Sequence, residues 1–189
     1  MARNISSLVI DSLYDRAREE DPAVAWFYCD YNAQQEQTPI DIMGAILKRL
    51  VGRKIPDDIR RAFQQGRRPL LPDLVRMLRI AVSSLPQAFI CIDALDECRP
   101  QDLPELLESL SDIVRESPIA RIFLTGRPHV IEAIQRYFTA AVAIRISPNQ
   151  DDIRNYLEKR LDRDYAPEAM NKDLRAEIVT TILENMSNM

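Results

Sequence analysis

The chain has 189 residues, 46% of them apolar, with a net charge of −4 at neutral pH and a pI near 5.2. This length predicts one domain, or one domain with a short appendage, and the apolar content allows a sizeable core. The acidic balance gives no basic footprint for nucleic acid, and neither a membrane-spanning apolar run nor a signal peptide is found, so we expect a cytoplasmic protein with no nucleic acid and no membrane as partners.

The first third of the chain predicts a helix, a strand and a second helix. Apolar residues recur at helical spacing over residues 5–19, and Asp21-Pro22 breaks that pattern. An aromatic strand follows over residues 24–31. Thr38-Pro39 then supplies an N-cap and a proline at the first helical position, and Gly52 is a suitable end for that helix.

The middle of the chain predicts two helices and a buried strand. A polar helix is expected over residues 56–65, and apolar residues mark another from Leu74 to Val82. Five consecutive apolar residues, 88–92, then end abruptly on Asp93, a pattern that suits a strand buried on both faces of a parallel sheet. An acid at the carboxyl end of such a strand lies where open α/β sheets bind ligands.

The remainder of the chain continues the alternation of helices and strands. An apolar stripe over residues 101–115 predicts a core helix, and a second buried strand, 120–125, follows it. A short helix over residues 130–137 leads to a last strand at 141–146, and two further helices begin near residues 147 and 174. The alternation predicts an α/β fold with a parallel sheet and helical crossovers.

The three cysteines and the single histidine give no metal signal. Cys29, Cys91 and Cys98 lack C-x-x-C or Cys/His spacing, and the first two lie in apolar runs, where a cysteine usually acts as a small hydrophobe. His129 follows a proline at a helix start, which favours a surface or capping role.

The residues at the ends of the two buried strands carry the chemistry. The apolar run that ends on Asp93 resembles a Walker B motif, in which the acid holds magnesium. The residue that follows Asp93 is small, which leaves room for a hydrated magnesium ion. Asp96 or Glu97 can orient or deprotonate an attacking water, and Arg127 can reach a γ-phosphate. The alternatives are a helix N-cap with exposed acids and a strand-end arginine paired with a helix acid.

Together these segments resemble the NACHT nucleoside triphosphatase domains of STAND regulatory ATPases. Their closest likeness is to the nephrocystin-type N-terminal NACHT modules abundant in filamentous fungi. The resemblance covers the chain from about Ser6 to Met186 and rests on five segments: Phe27–Tyr31, Gln37–Pro39, Asp93–Glu97, Thr125–His129 and Asp151–Leu157.

The resemblance implies a three-layer, mostly parallel P-loop NTPase sheet over residues 1–147 and the beginning of a helical subdomain over 148–189. It implies that Asp93 coordinates Mg²⁺ through water, that Asp96 and Glu97 activate water, and that Arg127 senses the γ-phosphate of ATP or GTP. The family usually has serine at the position that Gly126 occupies in this chain. We expect the glycine to loosen this turn. Implied partners in the full-length family are an N-terminal effector, C-terminal ankyrin or WD40 repeats, and further copies of the protein.

The P-loop of this family does not occur in the sequence. Such a loop needs G-x-x-x-x-G-K-[ST], and none of the four glycines is followed by lysine. Residues 1–4 stand where the loop would end. We therefore expect a sheet without its first strand, doubtful nucleotide binding, no hydrolysis by the chain alone, and marginal stability.

Two functions remain open on these grounds. The first is a partial NACHT/STAND nucleotide-binding module, part of an ATP-dependent signalling switch. The alternative is a catalytically inactive NACHT-like interaction or scaffold module, or a truncated gene product.

Overall fold

A computed structural model describes residues 5–20, 23–52, 69–146, 149–162 and 171–186. Over these ranges the chain alternates helices and strands in the predicted order. The elements are α1 (Ile5–Glu20), β1 (Ala23–Tyr28), α2 (Pro39–Val51), α3 (Leu71–Ser83), β2 (Ala88–Asp93), α4 (Leu103–Glu116), β3 (Ala120–Leu124), α5 (Ile131–Tyr137), α6 (Gln150–Leu161) and α7 (Lys172–Met186). Single 3-10 turns cover Tyr31–Ala33, Leu95–Glu97 and Pro128–Val130. The helix predicted over residues 56–65 lies outside the described residues.

The three strands form one parallel sheet in the order β1-β2-β3. Tyr28 is the register partner of Asp93, so the carboxyl ends of β1 and β2 are level. Leu124 is the register partner of Ile92, so β3 ends at the same edge. The predicted α/β class with a parallel sheet is confirmed.

The central strand β2 is covered on both faces, as its apolar run predicts. Ile90 and Ile92 belong to the main core, which α2, α3 and α4 complete. Cys91 points to the opposite face because successive strand residues alternate, and it is also buried. Helix α1 packs against β1 and β2, and Tyr14 of α1 meets Trp26 edge to face with ring centroids 5.6 Å apart. The sheet is therefore the middle of three layers.

Helix α2 begins and ends where the sequence predicts. The Thr38 side chain accepts a hydrogen bond from the backbone N–H of Asp41, whose side chain accepts in turn from the backbone N–H of Thr38. This capping box satisfies two donors that a helix start leaves unpaired. Gly52 ends the helix at a φ of 54°, a conformation that glycine adopts without steric cost.

The strand predicted over residues 141–146 is wrong. These residues have no regular structure and all are exposed, with Val142, Ile144 and Ile146 showing 87%, 79% and 59% of their surface. Alternating apolar residues suit a strand, but a strand also needs a neighbouring strand for its backbone hydrogen bonds. The described sheet has three members and does not include this segment.

The chain divides into two compact units, residues 1–141 and 142–189. The first contains the sheet. In the second, α6 begins after Asn149, whose side chain accepts from the backbone N–H of Asp152. Arg175 of α7 links the two helices of this unit by donating to the Glu158 carbonyl at 3.0 Å and pairing with Asp162 at 2.5 Å.

Candidate functional site

Asp93 lies at the carboxyl end of β2 and is held by hydroxyl groups from two other elements. Ser6 of α1 and Thr125, directly after β3, both donate hydrogen bonds to its Oδ1. The Thr125 oxygen also accepts from the backbone N–H of Ala94 at 3.0 Å. Ser6 is one of few buried polar residues in the described part of the chain, with 2% exposure. These contacts fix the orientation of the Asp93 carboxylate.

A tight turn follows Asp93 and separates the two later acids. Ala94 has φ 57° and ψ 50°, the left-handed region that a residue with a Cβ rarely adopts. Leu95 anchors the turn, because its side chain is fully buried and its N–H donates to the Thr125 carbonyl at 2.9 Å. This arrangement directs Asp96 toward the end of β3 and Glu97 toward the end of β1.

Asp96 and Arg127 form an ion pair at the β3 side of the turn. Arg127 Nε lies 3.2 Å from Asp96 Oδ2, and the Arg127 backbone N–H donates to Oδ1 at 3.1 Å. The Asp96 side chain is only 8% exposed, whereas that of Arg127 is 76% exposed. The arginine therefore presents most of its guanidinium to solvent while its partner carboxylate is covered.

Glu97 reaches the loop after β1. Its Oε2 accepts from the backbone N–H of Tyr31 at 3.0 Å, and its carbonyl accepts from the Gln34 side-chain amide at 2.7 Å. The turn and the β1 loop are thus tied by two hydrogen bonds.

A pair of buried thiols lies beneath this turn. Cys29, directly after β1, and Cys98, directly after the turn, have sulfurs 3.2 Å apart. Their hydrogen bond raises the pKa of Cys29, which burial raises further, and lowers the pKa of Cys98 against the opposing effects of burial and nearby acids. For Cys91, burial is the cause of the shift, and it raises the pKa of this thiol to about 11.

The structure thus brings the four predicted site residues, Asp93, Asp96, Glu97 and Arg127, to one edge of the sheet. Their catalytic and metal-binding roles stay predictions.

Sequence patterns assigned no role to the hydroxyls of Ser6 and Thr125 or to the Cys29–Cys98 contact. One signal was readable for Ser6, a polar residue among the apolar positions at the start of α1. His129 is exposed. Within the described ranges no cluster of three or more His, Cys, Asp or Glu side chains could by itself hold a metal ion.

Comparison with known proteins gives a family match and a likeness in fold. The family model described as "Nephrocystin 3, N-terminal" matches residues 4–127. Among solved structures, the chain is similar to the Orc1 protein of Aeropyrum pernix in complex with DNA, at a TM-score of 0.54 and 19% identity, covering 84% of this chain and 40% of that one. The chain thus spans well under half the length of that protein, and identity this low shows the fold alone. No curated protein matches the chain.

These findings correct the expected partners. Nucleic acid was excluded because the net charge is negative, yet a protein of this fold has been solved with DNA. A net charge is a sum over the whole chain and does not describe the local potential of one surface, so that exclusion was wrong. No comparison supports the expected effector, repeat or self-association partners either. Separately, none of the described helices has the length and apolarity to cross a membrane.

Proposed function

The chain belongs to the nephrocystin 3 N-terminal family, and from this premise we propose that it is a nucleotide-binding regulatory module of the NACHT/STAND type. One observation carries the proposal. Asp93, Asp96, Glu97 and Arg127 come from two strand ends and meet at the carboxyl edge of a parallel sheet, which is where open α/β sheets bind ligands. A fungal origin, a signalling role and a cytoplasmic location stay predictions.

The oxygen donors around Asp93 fit a magnesium ion. Mg²⁺ prefers oxygen ligands and is commonly held by one or two carboxylates, waters and substrate phosphates, so a cluster of three acids is not required. The Asp93 carboxylate and the Ser6 and Thr125 hydroxyls provide such oxygens, each hydroxyl being within hydrogen-bond distance of Asp93 Oδ1. A bound magnesium ion would neutralise charge on the phosphates of the nucleotide. We assign Asp93 to hold it through water.

Arg127 is suited to respond to a phosphate. Its side chain is largely exposed, and its guanidinium pairs with the Asp96 carboxylate. A terminal phosphate can accept two parallel hydrogen bonds from a guanidinium and carries more charge than a carboxylate, so it competes with Asp96 for this arginine. Release of Asp96 would then loosen the turn that also carries Glu97.

The acids are engaged with protein groups rather than poised beside a free space. Asp96 is paired with Arg127, and Glu97 accepts the Tyr31 N–H. A carboxylate that already accepts a hydrogen bond must exchange it before it can take a proton from water. We therefore propose that binding, and not rapid hydrolysis, is what this module does, with Asp96 and Glu97 as its water-activating pair if hydrolysis occurs.

Binding of a fluorescent ATP analogue to the whole chain tests this proposal. We expect saturable, magnesium-dependent binding that Asp93→Asn weakens about 10-fold or more, the effect of a changed metal partner. Glu108→Gln is the matched control, because Glu108 is an exposed carboxylate on α4. No saturable binding up to about 1 mM, a free energy near −4 kcal/mol, would overturn the proposal. Equal binding by the wild type and Asp93→Asn would favour the scaffold alternative.

A further inference from the structure

We propose that Cys29 and Cys98 are a reversible redox modification site, a dithiol that closes to a disulfide. The disulfide would fasten the acidic turn, residues 94–97 with Asp96 and Glu97, to the end of β1. The inference rests on the positions of the two sulfurs and is independent of the proposed nucleotide function. It concerns two residues that no sequence motif joins, because 69 positions separate them.

The backbone on both sides holds the two sulfurs in place. The N–H of Cys29 donates to the Asp93 carbonyl at 3.0 Å, which continues the β1–β2 ladder by one residue. The N–H of Cys98 donates to the Leu95 carbonyl at 3.1 Å and closes the 3-10 turn. The two cysteine residues are 6% and 8% exposed. These two backbone hydrogen bonds fix the positions of both cysteines in the folded chain. The sulfurs therefore lie in contact without any rearrangement of the sheet.

The remaining distance is small. The sulfurs are 3.2 Å apart, and a disulfide needs about 2.0 Å. Bonding therefore requires a closure of about 1.2 Å, which rotation of two side chains and a slight shift of the turn can supply.

Hydrogen peroxide is the oxidant that completes the chemistry. One sulfur attacks the peroxide, so that an S–O bond forms, the O–O bond breaks and a first water leaves. The second sulfur attacks the resulting sulfenic acid, so that the S–S bond forms, the S–O bond breaks and a second water carries away the last thiol proton. Two thiols lose two electrons and two protons to one peroxide. A dithiol reductant reverses the reaction by exchange.

The crosslink would act on the acidic turn through adjacent residues. Cys98 directly follows Glu97, and Cys29 lies two residues before Tyr31. The Glu97 side chain accepts a hydrogen bond from the Tyr31 backbone N–H. A covalent bond beside this hydrogen bond restricts the turn to its present position. In a reducing compartment the dithiol form prevails, and disulfides there are mostly transient or redox-sensing.

The test is oxidation of the whole folded chain with equimolar hydrogen peroxide, followed by thiol counting and non-reducing peptide mapping. The chain has three free thiols. We expect the count to fall to one, the mapped link to join Cys29 to Cys98, and dithiothreitol to restore all three thiols. Cys91→Ser, the matched control, should form the same link, whereas Cys29→Ser and Cys98→Ser should form none.

The unfolded chain provides a reference that needs no variant. Cys91 and Cys98 are only seven positions apart, so in denaturant loop entropy favours their link over the Cys29–Cys98 link by about 30-fold. A dominant Cys29–Cys98 link in the folded chain therefore reports folded geometry. Persistence of three thiols, a Cys91–Cys98 link or disulfide-linked dimers in the folded sample would each overturn the proposal.

Discussion

Asp93 shows how one carboxylate can join three elements of a fold. Its Oδ1 accepts from Ser6 on α1 and from Thr125 after β3, while Asp93 itself ends β2. Hydrogen bonds to a charged acceptor contribute more than bonds between neutral groups, and a buried group that loses its partner costs its full desolvation. The same atoms that we assign to magnesium thus also hold α1 onto the sheet.

The substitution Ser6→Ala measures this link. Removing a buried donor to a carboxylate should lower the free energy of unfolding by about 1–2 kcal/mol, as measured by urea denaturation. The control is Ser83→Ala, because the exposed Ser83 hydroxyl donates to the Ile80 carbonyl within its own helix and should cost less than about 0.5 kcal/mol. Equal losses for the two variants would contradict a special role for Ser6.

Gly126 is required by packing rather than by backbone conformation. A Cβ placed on it would lie 2.7 Å from Val130 Cγ2 and 3.4 Å from Asp96 Oδ1. Val130 is 4% exposed, so its short branched side chain has little room to move. The glycine lets the chain pass close to Asp96 just before Arg127, which brings that pair together.

Gly126→Ala should therefore destabilise the chain by about 1–3 kcal/mol, the usual cost of overpacking. Gly44→Ala is the control of opposite sign. Gly44 lies inside α2, where an added Cβ would meet nothing within 4 Å, and alanine there should stabilise by about 0.5–1 kcal/mol. Chemical denaturation of both variants measures the two effects, and Val130→Ala in the Gly126→Ala background should recover part of the loss. A neutral Gly126→Ala would show that Val130 moves freely.

At the level of elements, local signals and the parallel sheet were predictable, whereas the side-chain contacts between distant segments were not. Thr38-Pro39 and Gly52 bound α2 as the sequence indicates, since caps depend on a few neighbouring residues. The buried run ending on Asp93 is likewise a local pattern. The contacts of Ser6 with Asp93 and of Cys29 with Cys98 depend on how distant segments meet, and no single sequence reports that directly.

The segment over residues 141–146 failed as a prediction for the same reason. Its alternation of apolar residues matches a strand, but a strand forms only with a neighbour, and neighbours are a tertiary property. Exposed valine and isoleucine at 142, 144 and 146 gain no burial in the described structure.

The double substitution Val142→Thr and Ile144→Thr tests whether this segment is free in solution. Because both side chains are more than three-quarters exposed, we expect the free energy of unfolding to change by less than about 0.5 kcal/mol per site. The matched control is Ile90→Thr in β2, a fully buried position, where a hydroxyl in an apolar site should cost about 2 kcal/mol or more. A loss at 142 and 144 comparable to that at Ile90 would mean that the segment is paired or packed.

At the scale of the whole molecule, the sheet has one well-covered strand and two outer ones. In the described sheet β2 lies between β1 and β3, whereas β3 pairs on one side only. The last three residues of β3 are only half-buried. An outer strand with unpaired backbone groups contributes less to cooperativity than a central one, and it is also a site for unwanted pairing.

We therefore predict marginal stability for the chain and a gain on nucleotide binding. Calorimetry should give a thermal midpoint below the range of about 45–65 °C that is usual for mesophilic domains. ATP with Mg²⁺ at 100 times the dissociation constant should add about 2.7 kcal/mol and raise the midpoint by about 5–10 °C. At the same ATP concentration, Asp93→Asn with tenfold weaker binding should gain no more than about 1.4 kcal/mol and so cut the rise to about half or less. ATP with a chelator should likewise reduce it, while Glu108→Gln keeps it. A cooperative transition within or above the mesophilic range without ligand would contradict marginal stability. An unshifted midpoint in saturating nucleotide would contradict binding, so the two claims fail separately.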